Sequence, residues 1–294
     1  MARVHVIIPT HTTRHLEPVL AALAQQTEPA ASVVVSCDTD DPALGGIVAA
    51  WAERMPHDRV LWVSRPSMGR NGVCQARNNA VRALDAADAL HDDDQLVFID
   101  GDISLEPEAV AKHRAVRERG ADVALGFRLP LTEDQTERYL AGETVEAIEP
   151  SPRELAKLAQ RDRRYRRHIA VAGLPLSTLV QKPLKPKVIG CHHAVSVETY
   201  RRVNGYDEEY TFRTSEDDDL SLRLNYLRPR PRFVSVVKSI RAVHLYHPET
   251  TPKDKTADEG YQRLMRVMRT KNARAERGLR RPLDQPEPRV VRLK

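Results

Sequence analysis

The run Leu96-Val97-Phe98-Ile99-Asp100-Gly101-Asp102 is the most informative part of this sequence. Its first four residues are apolar, with β-branched and aromatic side chains, and the run is too short for a helix, so it predicts a buried strand. Because the chain leaves this strand directly into Asp-Gly-Asp, two carboxylates lie at the strand's carboxyl end, where open α/β sheets bind ligands. Two hard oxygen ligands at that edge suit Mg²⁺ or Mn²⁺, above all an ion shared with substrate phosphates.

Strands and helices alternate on the amino-terminal side of this run. Apolar spacing predicts strands at residues 4–8, 32–36, 60–63 and 96–99, separated by helices at residues 17–26, 47–55 and 73–90. That order is typical of a parallel sheet with helical crossovers. The later pattern is less regular and predicts helices at residues 106–119, 197–203, 216–225 and 255–271, with strands at residues 122–128, 189–197 and 233–237. The predicted fold class is α/β, with a mixed, mostly parallel sheet flanked by helices.

The sequence predicts one large domain, residues 1–248, followed by a basic extension. Residues 1–103 form its regular first half, and residues 104–248 form its less regular second half. An insertion at residues 129–187 carries prolines around one basic helix and is expected to shape the acceptor side. Residues 249–294 contain one further helix, and the Pro- and Arg-rich stretch from about residue 277 is expected to be disordered.

The net charge of +5 is unevenly distributed. Residues 153–168 hold seven Lys/Arg against two acidic residues, and residues 263–294 hold eleven against three, so the rest of the chain is acidic. These basic segments predict contact with an anionic acceptor or membrane face, or are solvated helices. No apolar run approaches the roughly 20 residues that cross a bilayer. Three widely spaced cysteines, without Cys-x-x-Cys, favour a reduced cytoplasmic protein.

Five pieces of sequence occur in an order that resembles a known family. They are Val6-Ile7-Ile8-Pro9-Thr10, Asp38 after the second strand, Gly72 with Ala76-Arg77-Asn78, the run ending at Asp102, and Asn204-Gly205-Tyr206-Asp207-Glu208 followed by Glu216-Asp217-Asp218-Asp219. Together they resemble the family-2 nucleotide-sugar glycosyltransferases, which have the Rossmann-like GT-A fold. The second half is also similar to the C-terminal region of galactosyl- and N-acetylgalactosaminyltransferases. The resemblance implies a metal-dependent, inverting hexosyltransferase of polysaccharide biosynthesis, which moves a sugar from a UDP-sugar to a hydroxyl of a glycan or glycolipid.

The resemblance also implies that residues 1–248 are the catalytic domain, with residues 1–103 as its nucleotide-binding half and residues 104–248 as its acceptor half. It further implies roles for residues on the donor side. Donor nucleotide contacts are expected from Pro9, Thr10, His11, Asp38, Arg77 and Asp100, with Asp38 facing the uracil. Asp102 and a histidine after the last core strand are expected to bind Mn²⁺ or Mg²⁺. His244 fits that role because it directly ends an apolar run, whereas His247 would lie on the opposite side of an extended segment.

On the acceptor side, the resemblance implies that Asp217 is the catalytic base, and Asp218, Glu216 and His193 are expected to contact the acceptor. Neighbouring carboxylates at a helix start repel one another, which raises a pKa, while the helix dipole opposes the rise. The sequence departs from the galactosyltransferase pattern before Glu216, where Phe212-Arg213-Thr214-Ser215 replaces Trp-Gly-Gly. The acceptor of those relatives is therefore not carried over.

Purely structural explanations exist for each motif. Asp38 and the Asp-Gly-Asp run suit turns, Arg77 suits a solvated helix face, and Ser215 with Glu216-Asp217-Asp218 suits a capped helix start. His244 and His247 suit loop hydrogen bonds, and Cys191-His192-His193 suits part of a zinc site without an evident fourth ligand.

Two other functions remain open. A sugar-nucleotide pyrophosphorylase shares the nucleotide-binding half of the fold, but it needs a Gly-rich basic loop after the first strand, where this chain has Pro9-Thr10-His11. A basic binding module would use residues 153–168 and 263–294 on an anionic membrane or on nucleic acid. The aromatic content of 5% makes nucleic acid the less favoured partner.

Overall fold

A large mixed sheet forms the centre of the molecule. The computed structural model describes residues 1–172, 186–211, 215–248 and 257–294. The strands in these ranges are β1 (Val4–Thr10), β2 (Ser32–Cys37), β3 (Val60–Ser64), β4 (Gln95–Ile99), β5 (Ile103–Leu105), β6 (Val123–Leu125), β7 (Leu129–Pro130), β8 (His192–Ser196), β9 (Phe233–Ser235), β10 (Ala242–His244) and β11 (Arg289–Arg292). The helices are α1 (Leu16–Ala24), α2 (Pro42–Ala52), α3 (Val73–Ala86), α4 (Ala109–Glu118), α5 (Glu133–Leu140), α6 (Pro152–Ala172), α7 (Val197–Val203), α8 (Glu216–Tyr226) and α9 (Ala257–Thr270).

Four parallel strands from the first part of the chain lie side by side in this sheet. The strand order is β11-β3-β2-β1-β4-β8-β6-β9. Strand β1 pairs in parallel with β2 and β4, β2 pairs in parallel with β3, and β8 runs antiparallel between β4 and β6. Every residue of β1 to β4 is buried, as expected for strands covered on both faces. The predicted mixed, mostly parallel α/β sheet is confirmed, and the carboxyl ends of β1, β2 and β4 open on one edge.

A second, three-stranded sheet brings the later part of the chain to that edge. Strand β10 lies between β5 and β7, antiparallel to β5 and parallel to β7. The register places His244 opposite Ile103 on one side and opposite Pro130 on the other. Because β5 begins directly after Asp102, this pairing holds the end of β10 beside the Asp-Gly-Asp turn.

The described part of the insertion, residues 129–172 and 186–187, contains more than the single basic helix that the sequence predicted. It begins with β7, and helix α5 follows with a capping box in which Thr132 and Gln135 exchange side-chain and backbone hydrogen bonds. Helix α6 then packs against β9, where Asp162 Oδ1 accepts a hydrogen bond from Ser235 Oγ at 2.7 Å. The strand predicted at residues 122–128 is shorter in the structure, since β6 ends at Leu125 and the next strand, β7, begins only at Leu129.

The disorder predicted from about residue 277 is corrected by the structure. Residues Arg289–Arg292 form β11, which pairs antiparallel with β3 at the edge of the large sheet. Before it, the Leu283 N–H donates to Glu208 Oε2 at 2.8 Å, and Leu279 is buried. The composition hid this strand because it has only two apolar residues and its partner strand is distant in sequence. None of the described helices has the length and apolarity needed to cross a membrane.

Candidate active site

A cavity of about 570 Å³ lies at the carboxyl edge of β1 and β4. Its lining includes seven of the residues that the sequence predicted, namely Pro9, Thr10, His11, Arg77, Asp100, Asp102 and Glu216. The turn after β4 lies tightly against β1, since a Cβ on Gly101 would come within 2.8 Å of Thr10 Oγ1. The glycine of the Asp-Gly-Asp run is therefore needed for this close approach.

Asp102, His244 and His247 form a cluster of possible metal ligands at this cavity. Asp102 Oδ2 lies 3.3 Å from His244 Nε2 and 3.1 Å from His247 Nε2. The other carboxylate oxygen, Oδ1, is buried and has no hydrogen-bond partner within the described parts of the chain. A buried carboxylate oxygen left unpaired beside two imidazoles fits a divalent cation, which would use the lone pairs that the protein leaves open.

The Asp102 carboxyl is in the ionised form that a metal ligand requires. Burial by itself would raise its pKa, but the hydrogen bond and charge of His244, together with the charges of His247 and Arg128, lower the pKa below its ordinary value. The backbone holds the same geometry, because the Leu245 N–H donates to the Asp102 carbonyl oxygen at 3.0 Å.

The position of His247 corrects the sequence analysis, which placed this ring on the opposite side. Strand β10 ends at His244, so the residues after it do not continue the two-residue alternation of a strand. The Tyr246 N–H instead donates to Thr136 Oγ1 at 2.8 Å, and the Tyr246 carbonyl lies 2.9 Å from His15 Nε2. The spacing of the two histidines would have predicted their convergence only if the end of β10 had been known.

Arg77 connects the two acidic motifs. It lies in α3, is only 2% exposed, and its guanidinium lies 4.7 Å above the centre of the Tyr206 ring. Its Nη2 donates to Asp100 Oδ1 at 3.0 Å, and its Nη1 lies 3.9 Å from Asp217 Oδ1. Nε and Nη1 are buried without hydrogen-bond partners among the described residues. Arg77 is therefore a buried cation with donors to spare, and the solvated-helix explanation does not hold.

The segment before β8 packs closely against the same pair of side chains. The Gly190 N–H donates to Asp217 Oδ2 at 2.7 Å. A Cβ on Gly190 would lie 2.5 Å from Arg77 Nη2 and 2.9 Å from Asp217 Oδ1. A side chain at this position would therefore push Arg77 and Asp217 apart.

The second acidic motif opens α8. Ser215 adopts a φ of 68° and its side chain makes no capping hydrogen bond, so capping by Ser215 does not explain the motif. Glu216 lines the cavity, Asp217 faces Arg77, and Asp218 Oδ2 accepts a hydrogen bond from Lys187 Nζ at 2.9 Å. Burial raises the pKa of Glu216 to about 7, with the negative charge of Asp217 adding to the rise and Arg77 opposing it. Burial also raises the pKa of Asp217, against the effects of Arg77 and the Gly190 N–H.

Asp38 lies beside the cavity, at the start of α3. Its Oδ2 accepts a hydrogen bond from the Gly72 N–H at 3.0 Å. Arg65, which the sequence analysis did not select, lies next to it, since a Cβ on Gly72 would meet both the Arg65 guanidinium and Asp38. Burial lowers the pKa of Arg65, and the charge of Asp38 opposes this. A single arginine after a strand carries no motif, so no pattern in the sequence identifies it.

The structure corrects the expectation that His193 contacts an acceptor. The ring is fully buried and stacks on Phe98 with 4.9 Å between ring centres. Its Nδ1 lies 3.1 Å from the Ile189 carbonyl oxygen, and its Nε2 lies 3.1 Å from Tyr206 Oη. Both nitrogens are thus occupied inside the core.

The zinc interpretation of Cys191-His192-His193 is not supported either. Successive residues of a strand point to opposite faces, so the two histidines diverge. His192 Nε2 lies 3.0 Å from His113 Nε2, whereas Cys191 Sγ accepts a hydrogen bond from Arg128 Nη1 at 2.9 Å. These three side chains do not share a ligand position in the described structure.

Known proteins match this chain mainly at the level of the fold. Residues 180–248 match a family model described as the N-terminal domain of galactosyltransferase. No curated protein sequence matches the chain. TarS residues 1–349 from S. aureus, in complex with UDP-GlcNAc, has a TM-score of 0.59 and 15% identity, covering 95% of this chain and 68% of that one. A longer TarS structure has a TM-score of 0.56 and 17% identity, covering 95% of this chain and only 41% of that one.

These similarities agree with the geometry of the site. The matched segment, residues 180–248, contains α8, β10 and both histidines of the cluster. The architecture shared with TarS covers 95% of the chain. The chain therefore has the GT-A glycosyltransferase fold that its motifs implied, and its residues 180–248 are similar to the galactosyltransferase family.

Proposed function

We propose that this protein is a metal-dependent, inverting glycosyltransferase that moves a sugar from a UDP-sugar to a hydroxyl of a glycan or glycolipid. The observation that supports this best is that three kinds of group lie at one cavity or directly beside the side chains that line it. A cation cluster lies at Asp102, a buried guanidinium with spare donors at Arg77, and carboxylates with raised pKa values at the start of α8. A sugar diphosphate and an attacking hydroxyl need all three.

The donor side is proposed to bind the nucleotide. Pro9, Thr10 and His11 would contact the base with Asp38, and Asp100 would contact the ribose. Arg77 offers the N–H groups of its two unpaired nitrogens, Nε and Nη1, to the diphosphate, because charge-assisted bonds from a guanidinium suit phosphate oxygens. UDP-GlcNAc is the first donor to test, since TarS was crystallised with it.

Asp102, His244 and His247 are proposed to hold the metal. Imidazole ligands suit transition ions better than Mg²⁺, so the donor set favours Mn²⁺. When bound, such an ion neutralises charge on the departing diphosphate.

Asp217 is proposed to act as general base. A sugar hydroxyl is too weakly acidic to attack unaided, and a carboxylate with a raised pKa can take its proton as the bond to the donor sugar forms. The Gly190 N–H and Arg77 fix the orientation of this carboxylate. Glu216 lines the cavity and is the second candidate for the base, while Asp218 would hold acceptor hydroxyls. Direct attack opposite the leaving group inverts the sugar's configuration.

Residues 1–248 are proposed as the catalytic domain, with residues 249–294 as its basic extension. The three cysteines are free and buried, which suits the reducing cytoplasm. Peripheral contact of the basic segments with an anionic membrane face is part of the same proposal. The anionic membrane face would attract lysines and arginines, and this attraction would weaken as the salt concentration rises.

Calorimetry of UDP binding with and without Mn²⁺ tests the proposal. Mn²⁺ should tighten binding by at least about tenfold, because the ion offsets the charge of the diphosphate. Equal affinity in Mn²⁺ and in EDTA would contradict the metal assignment. Turnover of UDP-GlcNAc without pyrophosphate distinguishes a transferase from a pyrophosphorylase, which turns over only with pyrophosphate.

A further inference from the structure

A second cavity, of about 660 Å³, lies between α6 and residues 127–130. Six of its described lining residues are basic, namely Arg128, Lys157, Arg161, Arg163, Arg164 and Arg167. Its one acidic lining residue, Glu154, accepts hydrogen bonds from the N–H and Oγ of Ser151, both at 2.8 Å. We call this cavity the cationic cleft.

The basic residues of α6 line the cleft because contacts on the adjoining helix face fix the rotation of the helix. Lys157, Arg161 and Arg164 are spaced by three or four residues and therefore lie on one helix face. The adjoining face holds Asp162, bonded to Ser235 of β9, and the buried ring of Tyr165. The rotation of the helix is thus set by the sheet.

Most of these cations lack a carboxylate partner. Across the residues that the structure describes, Lys157, Arg163, Arg164 and Arg167 form no ion pair. Arg161 lies over the Phe127 ring, 4.6 Å from its centre. Like charges three or four residues apart repel each other on a helix, so the pattern is unfavourable unless an anion binds.

The cleft adjoins the acceptor side of the candidate active site. Its wall includes β7, and Pro130 of that strand lies opposite His244 in the small sheet. Arg128 lines the cleft and also donates to Cys191, whose carbonyl oxygen accepts from the Asp100 N–H at 3.4 Å. A chain bound in the cleft would therefore lie one strand away from His244 of the metal cluster.

We propose that the cationic cleft binds a chain that carries several anionic groups, and that the acceptor of this enzyme is such a polyanion. The identification of this polyanion as the acceptor rests on the function proposed above, whereas polyanion binding in the cleft does not. From Lys157 to Arg167, α6 rises by roughly 15 Å, which suits several charges along one chain better than a single ion. Five of the six cations are arginines, whose planar fork pairs with phosphate or carboxylate. The concave shape favours an inserted chain over a flat bilayer.

The double variant Arg164→Gln with Arg167→Gln tests this proposal. The matched control is Arg269→Gln with Arg274→Gln, which removes the same charge from exposed residues of the other basic segment. Binding of linear inorganic polyphosphate and of oligogalacturonate is measured by calorimetry without metal, since polyphosphate chelates divalent ions. Co-sedimentation with phosphatidylglycerol/phosphatidylcholine vesicles is measured in parallel. Unchanged thermal unfolding and unchanged UDP binding show that both variants are folded.

The cleft variant should bind at least one soluble probe about tenfold more weakly or worse, because two charge-assisted contacts are lost, while the control variant keeps its affinity. The probe that binds more tightly identifies phosphate or carboxylate as the anion. Equal losses in both variants overturn the proposal. The proposal is also overturned if the natural protein binds neither soluble probe and only vesicle binding is lost in the cleft variant. If probe binding behaves as expected and no UDP-sugar is turned over, the function proposed above fails and the polyanion site stands.

Discussion

Strands β1 and β4 carry a charged cluster at each end, and the two clusters are built differently. At the amino end, Asp94 accepts hydrogen bonds from the backbone N–H and guanidinium of Arg3 and from the His91 N–H, and it lies 3.2 Å from His5 Nε2. At the carboxyl end, Asp102 meets two imidazoles through one oxygen, and its other oxygen is buried without a partner among the described residues.

This difference separates a carboxylate whose partners all belong to the chain from one that we propose to be functional. Burial would raise the pKa of Asp94, but the hydrogen bonds of His5 and Arg3 outweigh it and hold the pKa well below its ordinary value. A buried carboxylate with both oxygens hydrogen-bonded rigidifies a fold, whereas a carboxylate with an unsatisfied buried oxygen lowers stability and needs another explanation. At Asp102 the explanation that we propose is a ligand supplied from outside the chain.

The largest expected effect is that of Asp102→Ala on turnover. Losing the proposed metal ligand should lower kcat/KM for UDP-sugar by roughly 10⁴-fold, because a bound cation contributes several kcal/mol to stabilising the transition state. Mn²⁺ should no longer tighten UDP binding in calorimetry. The exposed Asp58→Ala serves as control. If Mn²⁺ still tightens UDP binding to the Asp102→Ala variant, Asp102 is not a metal ligand and the proposed contrast with Asp94 fails.

Asp217→Asn should lower kcat by roughly 10²–10⁴-fold while leaving UDP and Mn²⁺ affinity nearly unchanged, because a general base contributes in the transition state. Glu216→Gln is the matched comparison, since Glu216 lines the cavity and also has a raised pKa. Steady-state kinetics of both variants, with the anomeric configuration of the product read by NMR, decide between them. A larger loss for Glu216→Gln would make Glu216 the base, and a retained configuration would exclude direct displacement.

Asp94→Ala should destabilise the fold by roughly 3 kcal/mol, because the buried ring of His5 and the N–H groups of Arg3 and His91 lose their hydrogen-bond partner. Urea unfolding measures the change, and kcat of the folded variant should stay close to that of the natural protein. Asp93→Ala is the control, since that side chain is 94% exposed. A variant that unfolds normally but loses turnover would show that the amino end also serves function.

The sequence was most informative where function and fold lie on one continuous segment. The Asp-Gly-Asp turn could be placed because an apolar run predicts a strand and parallel strand ends share one sheet edge. The same reasoning placed Pro9, Thr10 and His11 around the cavity. These residues need only local patterns and the fold class.

Residues that depend on distant pairing could not be predicted in the same way. His247 reaches Asp102 because β10 stops at His244, which follows from pairing with β5 and β7. His193 was misjudged because burial of β8 between β4 and β6 is a tertiary fact. The cationic cleft likewise requires α6 to pack on β9, which no short stretch of sequence records.

The smallest expected effects are in pH dependence, where the two ends should act in opposite directions. Glu216 has a raised pKa of about 7, so the native state keeps a proton that the unfolded chain releases near its ordinary pKa, and stability falls as pH rises toward 7. Turnover should rise as the α8 carboxylates ionise, and where Glu216 controls the rate the rise should be about tenfold from pH 6 to 8. Asp94, whose pKa is lowered, instead stabilises the fold above its ordinary pKa and loses that contribution as pH falls. Urea unfolding at several pH values should show both trends, and Glu216→Gln should remove only the first. If the Glu216→Gln variant still loses stability as pH rises toward 7, a group other than Glu216 titrates in that range.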